Sequence, residues 1–391
     1  MTMEKRLFTI VLALVLLFGV TSLWAKGGQE SAAKAKVIKV GYTAPFTGSA
    51  AEFGTNGWRG VQLALEEINK TGVTVGGESY QIEIVRYDSR CEPTEAVSNV
   101  RKLIMEDKVV ALLGDHCSSC CLGVAPLCEE YKIPGITVEC MADAITSPGF
   151  SYYFRMYIPS GLVSAWASPV FVERLNPKTV GFLAVNDDYG RATTEGFSTE
   201  LGKLGVKTLL KEYYERGTTD YMAYLNKIKS RAPDILIYTG VTAEGSLVLK
   251  QGREIGTFEK TKFLGSVEMS EQEIISLVGT DTMEGVYAWA VWENVPPEFE
   301  KRIKDKFNAP MHYGITYGYD ALMSVAKAIE AAQSLESSKI RDAIAGLDFT
   351  GVSGRIKYEN FVGPDGRQYS NQCRIVPYLV RWVDGKRTVV R

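Results

Sequence analysis

Short apolar runs alternate along the chain with segments whose apolar residues recur every three or four positions. Residues 37–42 read VIKVGY and residues 109–113 read VVALL, and both are bounded by polar or Gly-containing stretches, as buried strands are. Between them Val61, Ala64, Leu65 and Ile68 fall at i, i+3, i+4 and i+7, while Arg59, Glu66 and Lys70 can face water, which predicts an amphipathic helix. The same reading predicts strands over 81–87 and 135–138, a helix over 93–104 with Pro93 in its first turn, and a helix running to Tyr131. Three exchanges of strand and helix point to a parallel sheet covered on both faces. From Ser160 the pattern begins again, with helices over 161–175, 191–204, 221–231 and 243–255 and strands over 179–185, 206–214, 235–239, 262–265 and 285–291. Residues 297–335 and 338–345 read as helices, and strands over 354–358 and 373–382 complete the pattern. Two similar α/β halves in one chain imply two lobes facing each other.

The stretch VVALLGDHCSSCC at 109–121 is the most informative. A buried strand ends at Gly114, a polar turn follows, and helical apolar spacing resumes. The first N–H groups of such a helix lack intrahelical partners and carry partial positive charge, so Ser118 and Ser119 are placed to bind an anion or carboxylate. The alternative is that one of these serines only caps the helix. In open α/β sheets ligands sit beyond the carboxyl ends of the strands. That rule nominates Phe46, Phe53, Cys117–Ser119 and Glu139–Met141 in the first half, and Asn186–Tyr189, Val241–Glu244 and Glu268 in the second. Aromatic rings, hydroxyls and carboxylates together suit a small solute with a polar head and an apolar body.

Length and composition narrow the class. At 391 residues two lobes are expected, and 46% hydrophobic with 23% charged residues is the make-up of a soluble globular protein. Lys plus Arg number 44 against 46 Asp plus Glu, and no basic run exists, so nothing suggests a nucleic-acid partner. Lys5 and Arg6, the apolar stretch 7–20 and the small residues that follow read as an export signal over 1–25, cleaved near Ala25, with a flexible leader over 26–36. Seven cysteines in an exported chain invite disulfides. Cys121 and Cys128 stand roughly 10 Å apart along one predicted helix, too far to bridge. Cys91 and Cys117 each follow a predicted strand at the same end of the sheet and are the better pair, worth about 3.5 kcal/mol through the unfolded state. His116 beside Cys117 and Cys120 raises a metal site, but the disulfide claims Cys117 and small buried thiols are common on helices. With two histidines, no GxSxG elbow, no Walker A loop and no GxGxxG, neither an enzyme nor a cofactor is expected.

Four stretches in order, VGYTAPFTGSAAEFGTNGWRGVQLALEEIN at 40–69, YDSRCEPTEAVSNVRKLI at 87–104, the GDHCSS loop and NDDYGRATTEGF at 186–197, resemble the branched-chain amino acid (leucine, isoleucine, valine) binding protein family of periplasmic ABC-importer receptors. The resemblance implies the type I periplasmic binding fold: α/β, two Rossmann-like lobes with parallel sheets joined by a hinge and a ligand cleft between them. The lobes would comprise 37–158 with 290–365, and 159–289 with 366–391. It places paired cysteines at Cys91 and Cys117, a carboxylate-binding serine at Ser118, an acidic group for the α-ammonium near Glu268, and aromatic contacts at Tyr189 and Phe53. Ser119, Ser160, Val241 and Tyr319 complete the candidate ligand contacts. One segment departs from the resemblance: Glu139, Cys140 and Met141 stand where two small residues and a threonine are typical. Function is expected to be extracytoplasmic binding of an amino acid-like solute, as a monomer, for delivery to a membrane permease. The alternative is a sensing receptor of the same fold with no transport role.

Overall fold

The apolar runs become the centres of two sheets. The computed structural model describes residues 36–291 and 295–390, so the expected signal over 1–25 and leader up to residue 35 lie outside the described residues. The first half builds β1 (Lys36–Ala44), α1 (Ala51–Ile68), β2 (Val73–Val75), β3 (Glu78–Asp88), α2 (Pro93–Met105), β4 (Ala111–Gly114), α3 (Ser118–Tyr131), β5 (Gly135–Thr137) and β6 (Tyr153–Arg155). The second builds α4 (Ser160–Leu175), β7 (Thr179–Val185), α5 (Asp188–Lys203), β8 (Lys207–Tyr214), α6 (Met222–Arg231), β9 (Ile235–Thr239), α7 (Thr242–Glu254), β10 (Lys262–Gly265), the short helices α8 (Glu273–Val278) and α9 (Thr280–Met283), and β11 (Tyr287–Ala290). The chain closes with α10 (Pro297–Phe307), α11 (Tyr313–Ala332), α12 (Ser337–Ala345), β12 (Asp348–Thr350), β13 (Arg355–Val362), β14 (Gln368–Cys373), β15 (Tyr378–Val383) and β16 (Lys386–Val389).

A nine-stranded sheet has the order β12-β13-β14-β6-β5-β4-β1-β3-β2, and a seven-stranded sheet the order β16-β15-β11-β10-β9-β7-β8. The expected parallel order holds at both centres, with β1, β4, β5 and β6 parallel in one and β7 to β11 in the other. The edges are antiparallel hairpins: β2 with β3, β12 to β14, and β15 with β16. β4 shows why the centre reads as an unbroken apolar run. Ala111 and Leu113 point into the cluster holding Val40 and Val61, whereas Leu112 points into a second cluster with Leu103, Cys120 and Val124. Both faces of the strand are covered, so alternation would carry no advantage.

Several boundaries differ from expectation. The helix expected over 297–335 is two, because Asn308 adopts a left-handed φ of 48° as the C-cap of α10 and Pro310 follows before α11 begins. The strand expected over 373–382 is also two: Cys373 ends β14 in the nine-stranded sheet, and β15 lies in the seven-stranded one. Strand β14, residues 368–373, therefore pairs with the first lobe's sheet, although the sequence assigned 366–391 to the second lobe. The chain passes between the sheets three times: from β6 to α4, after β11, and from β14 to β15. At the first and third passages Arg155 is fully buried and donates to Gln372 Oε1 at 2.6 Å and to the carbonyl of Ala142 at 2.7 Å. That guanidinium ties the loop after β5 to both passages, and it is in this loop that the sequence departs from its resemblance.

Candidate functional site

The junction of β4 and α3 is built by its turn. Gly114 has φ 89°, and a Cβ there would stand 2.0 Å from the Thr43 carbonyl oxygen, so only glycine fits. Asp115 Oδ1 accepts from the N–H groups of His116 at 2.6 Å and Cys117 at 3.0 Å, and burial pushes its carboxyl above the usual range. The Cys91–Cys117 disulfide, with Cα atoms 5.5 Å apart, fastens the turn to the end of β3, as the sequence led us to expect. Cys117 is the N-cap of α3 and makes no side-chain cap, and Ser118 is the first helical residue. The serine does not cap its own helix. Its Oγ accepts from the Met141 and Ala142 N–H groups, each at 3.1 Å, which leaves the hydroxyl proton free to donate.

A cavity of about 340 Å³, partly open to solvent, lies over this turn. Phe53, His116, Cys117, Ser118, Glu139, Met141 and Tyr313 line it from the first lobe; Asp187, Tyr189, Arg216 and Glu268 line it from the second; Tyr157, on the first passage, closes it. Tyr157 and Tyr313 stack with ring centroids 5.5 Å apart. Two contacts bridge the lobes beside the cavity. Ser119 Oγ donates to Asp188 Oδ2 at 2.6 Å, and Glu52 on α1 accepts from the Thr242 hydroxyl and, at 3.2 Å, from its N–H at the start of α7.

The polar lining supplies both donors and acceptors. Among the donors Arg216 pairs with Asp187, and its Nη1 is buried without a hydrogen-bond partner among the described residues. Burial alone would lower the Arg216 pKa, but Asp187 and Glu244 raise it, so the guanidinium stays charged. Among the acceptors Glu268 receives the Tyr189 hydroxyl at 3.3 Å and the Tyr313 hydroxyl at 3.3 Å. Burial pushes Glu268 up to about 7. Glu139 Oε2 lies 3.0 Å from His116 Nδ1, while the Tyr42 hydroxyl lies 2.6 Å from Nε2 of the same ring. Glu139 Oε1 and the Tyr157 hydroxyl have no partner among the described residues.

The structure brings Phe53, Cys117, Ser118, Glu139, Met141, Asp187, Tyr189 and Glu268 to one cavity and leaves the other strand-end and ligand-contact candidates outside its lining. Ser119 bridges the lobes at the rim instead. Cys140 is bonded to Cys121, a second disulfide that the sequence analysis did not anticipate, and so points back at α3. Ser160 is buried against Thr193 at 3.0 Å. Val241 packs with Ala50 and Phe53 in the first lobe's second apolar cluster, which makes it a contact between lobes. Tyr319 lies six residues beyond Tyr313, on another face of α11, where it packs against Phe299 at 5.0 Å. Phe46 likewise packs outside the cavity, on Tyr42 and Trp58. Phe53 stands in the first turn of α1, which begins before the expected start. His116 is the partner of a glutamate and Cys117 and Cys121 are in disulfides, so the metal reading loses these ligands. Sequence reasoning missed Asp187's partner Arg216, together with Tyr157 and Tyr313. Arg216 follows β8 directly and was open to the strand-end rule; the two tyrosines belong to connections that the rule does not cover.

A family model described as periplasmic binding protein matches residues 37–386. The leucine-, isoleucine-, valine-, threonine- and alanine-binding protein of Pseudomonas aeruginosa is 29% identical over 338 residues, covering 83% of this chain and 86% of its own. A leucine binding protein from Thermotoga maritima shares the structure with a TM-score of 0.77 at 25% identity, over 90% of this chain and 98% of its own. A solute binding protein from R. palustris, solved in complex with benzoate, has a TM-score of 0.77 at 18% identity and covers 90% of this chain and 95% of its own; it shares the fold.

Proposed function

Because the chain belongs to the periplasmic binding protein family, whose members bind solutes and are not enzymes, we propose that it is the extracytoplasmic receptor of an ABC importer and traps an amino acid or related zwitterion between its lobes. The observation that carries this reading is one cavity lined both by donors for a carboxylate and by buried carboxylates. The Ser118 hydroxyl, the N–H groups opening α3, which have no intrahelical acceptor, and Arg216 Nη1 suit a carboxylate. Glu268 suits an ammonium group, and Phe53, Tyr157 and Met141 offer apolar cover for the body of the solute. The export signal read over 1–25 supports a periplasmic location. A solute that touches both lobes stabilises their closed arrangement over the open one, which is the means of signalling occupancy to a permease.

The test is mass spectrometry of the solute that co-purifies with the exported protein, followed by thermal shift against amino acids. Ligand at 100 times its dissociation constant adds about 2.7 kcal/mol of stability. A scattering profile that contracts on binding supports the trap; a profile unchanged by a tightly bound solute overturns it.

A further inference from the structure

We propose that Glu139 makes this cleft selective for a solute bearing a protonated nitrogen group, ammonium or guanidinium, in addition to an amino acid's α-ammonium. The inference rests on the reading above for the head group, but its own observations are separate. The Glu139 side chain is 2% exposed and lines the cavity. Oε2 is matched by His116 Nδ1; Oε1 is matched by nothing among the described residues. His116 has no further contact to offer that oxygen, because its other ring nitrogen is engaged by the Tyr42 hydroxyl. Oε1 is packed beside Gly314, where an added Cβ would stand 2.2 Å from it, so the glycine makes room for the carboxylate. The buried Tyr157 hydroxyl, also in the lining and also without a partner, is a second acceptor for such a group.

The chemistry of the lining favours a cation over a merely polar tail. Three carboxylates line the cavity, Glu139, Asp187 and Glu268, against the Arg216 guanidinium, already paired with Asp187, and the His116 ring, already set against Glu139 Oε2. Glu139 Oε1 is already buried, so a purely aliphatic side chain would leave it without a donor, and an unmatched buried carboxylate oxygen is a cost that a cationic donor removes. Selectivity would thus come from a penalty against apolar ligands as well as from attraction to basic ones.

The test is isothermal titration of the exported protein, freed of endogenous solute by unfolding and refolding, with L-leucine, L-lysine, L-arginine and agmatine as probes. Lysine or arginine is expected to bind at least about 30-fold more tightly than leucine, the size of one hydrogen bond to a charged group. Glu139→Gln keeps the side-chain shape and is expected to collapse that ratio to within about threefold, by the loss of the same charge-assisted bond. Leucine binding as tightly as both basic amino acids overturns the proposal. So does a Glu139→Gln variant that weakens every probe equally, the result of a purely structural role, with thermal melting run alongside to show that the variant is folded. Agmatine lacks the carboxylate. If it binds in a Glu139-dependent way while no amino acid does, the cation selectivity stands and the amino acid reading fails. If none of the four probes binds, the proposal fails.

Discussion

The cavity sets two buried glutamates on opposite walls and matches them in different ways. Glu139, on the first lobe, lies against an imidazole at 3.0 Å. Glu268, on the second, is matched by neutral groups, the Tyr189 and Tyr313 hydroxyls at 3.3 Å, the Ser266 hydroxyl and its own backbone N–H, and burial pushes it up to about 7. The contrast teaches that what a buried carboxylate can do depends on the donor beside it. A wall whose acid is held by a nearby imidazole is built in advance, whereas a wall whose acid titrates near neutrality changes its charge with pH and with what it meets.

The comparison can be broken most severely at His116. His116→Ala leaves Glu139 buried without its partner and is expected to cost about 3–5 kcal/mol in urea unfolding. A loss below about 1 kcal/mol would show that the first wall does not depend on the pair. The second wall is tested by pH. A folded pKa of about 7 against the ordinary 4.5 means that the fold favours the protonated acid. Its stabilising contribution is complete below pH 4.5 and is lost as pH rises through 7, a change of about 3 kcal/mol for this group. Stability curves of the protein and of Glu268→Gln, measured from pH 4 to 8, should diverge by that amount; parallel curves would refute it.

Smaller effects sharpen the picture. Ser118→Ala removes the free hydroxyl and the acceptor of two N–H groups. It should weaken solute binding by about 2 kcal/mol, or roughly 30-fold, in titration calorimetry. An unchanged affinity would remove Ser118 from the carboxylate site. At the rim, Ser119→Ala takes away a partly exposed bond to Asp188 and should shift affinity by less than about 1 kcal/mol. A larger loss would mean that the rim, not the cavity, governs closure.

Much of this architecture is legible in the order of residues. Central strands such as β4 and β9 are short and apolar because both their faces are covered, and helices such as α1 show their buried stripe in the spacing of Val61, Ala64 and Ile68. The antiparallel edge strands were harder. β2, β12 and β16 span only three or four residues each, too few for alternation to stand out. The strand-end rule found Ser118, Glu139, Asp187, Tyr189 and Glu268, and it named Cys140 without its bond to Cys121; Arg216 also follows a strand at the same end of its sheet but was not named. Tyr313 was out of its reach: it opens a helix after a passage between sheets, and nothing in its neighbourhood of sequence shows which cavity it meets.

Those passages carry one more consequence. The outer strands β12, β13 and β14 complete a sheet whose other members all precede residue 156, while everything from α4 to β11 intervenes. A protein engineer who cut the gene in two to obtain separate halves would therefore make neither half. The only excision that respects the hydrogen-bonded sheets removes the middle as an insert, and even that leaves β15 and β16 without the neighbour they were made to flank.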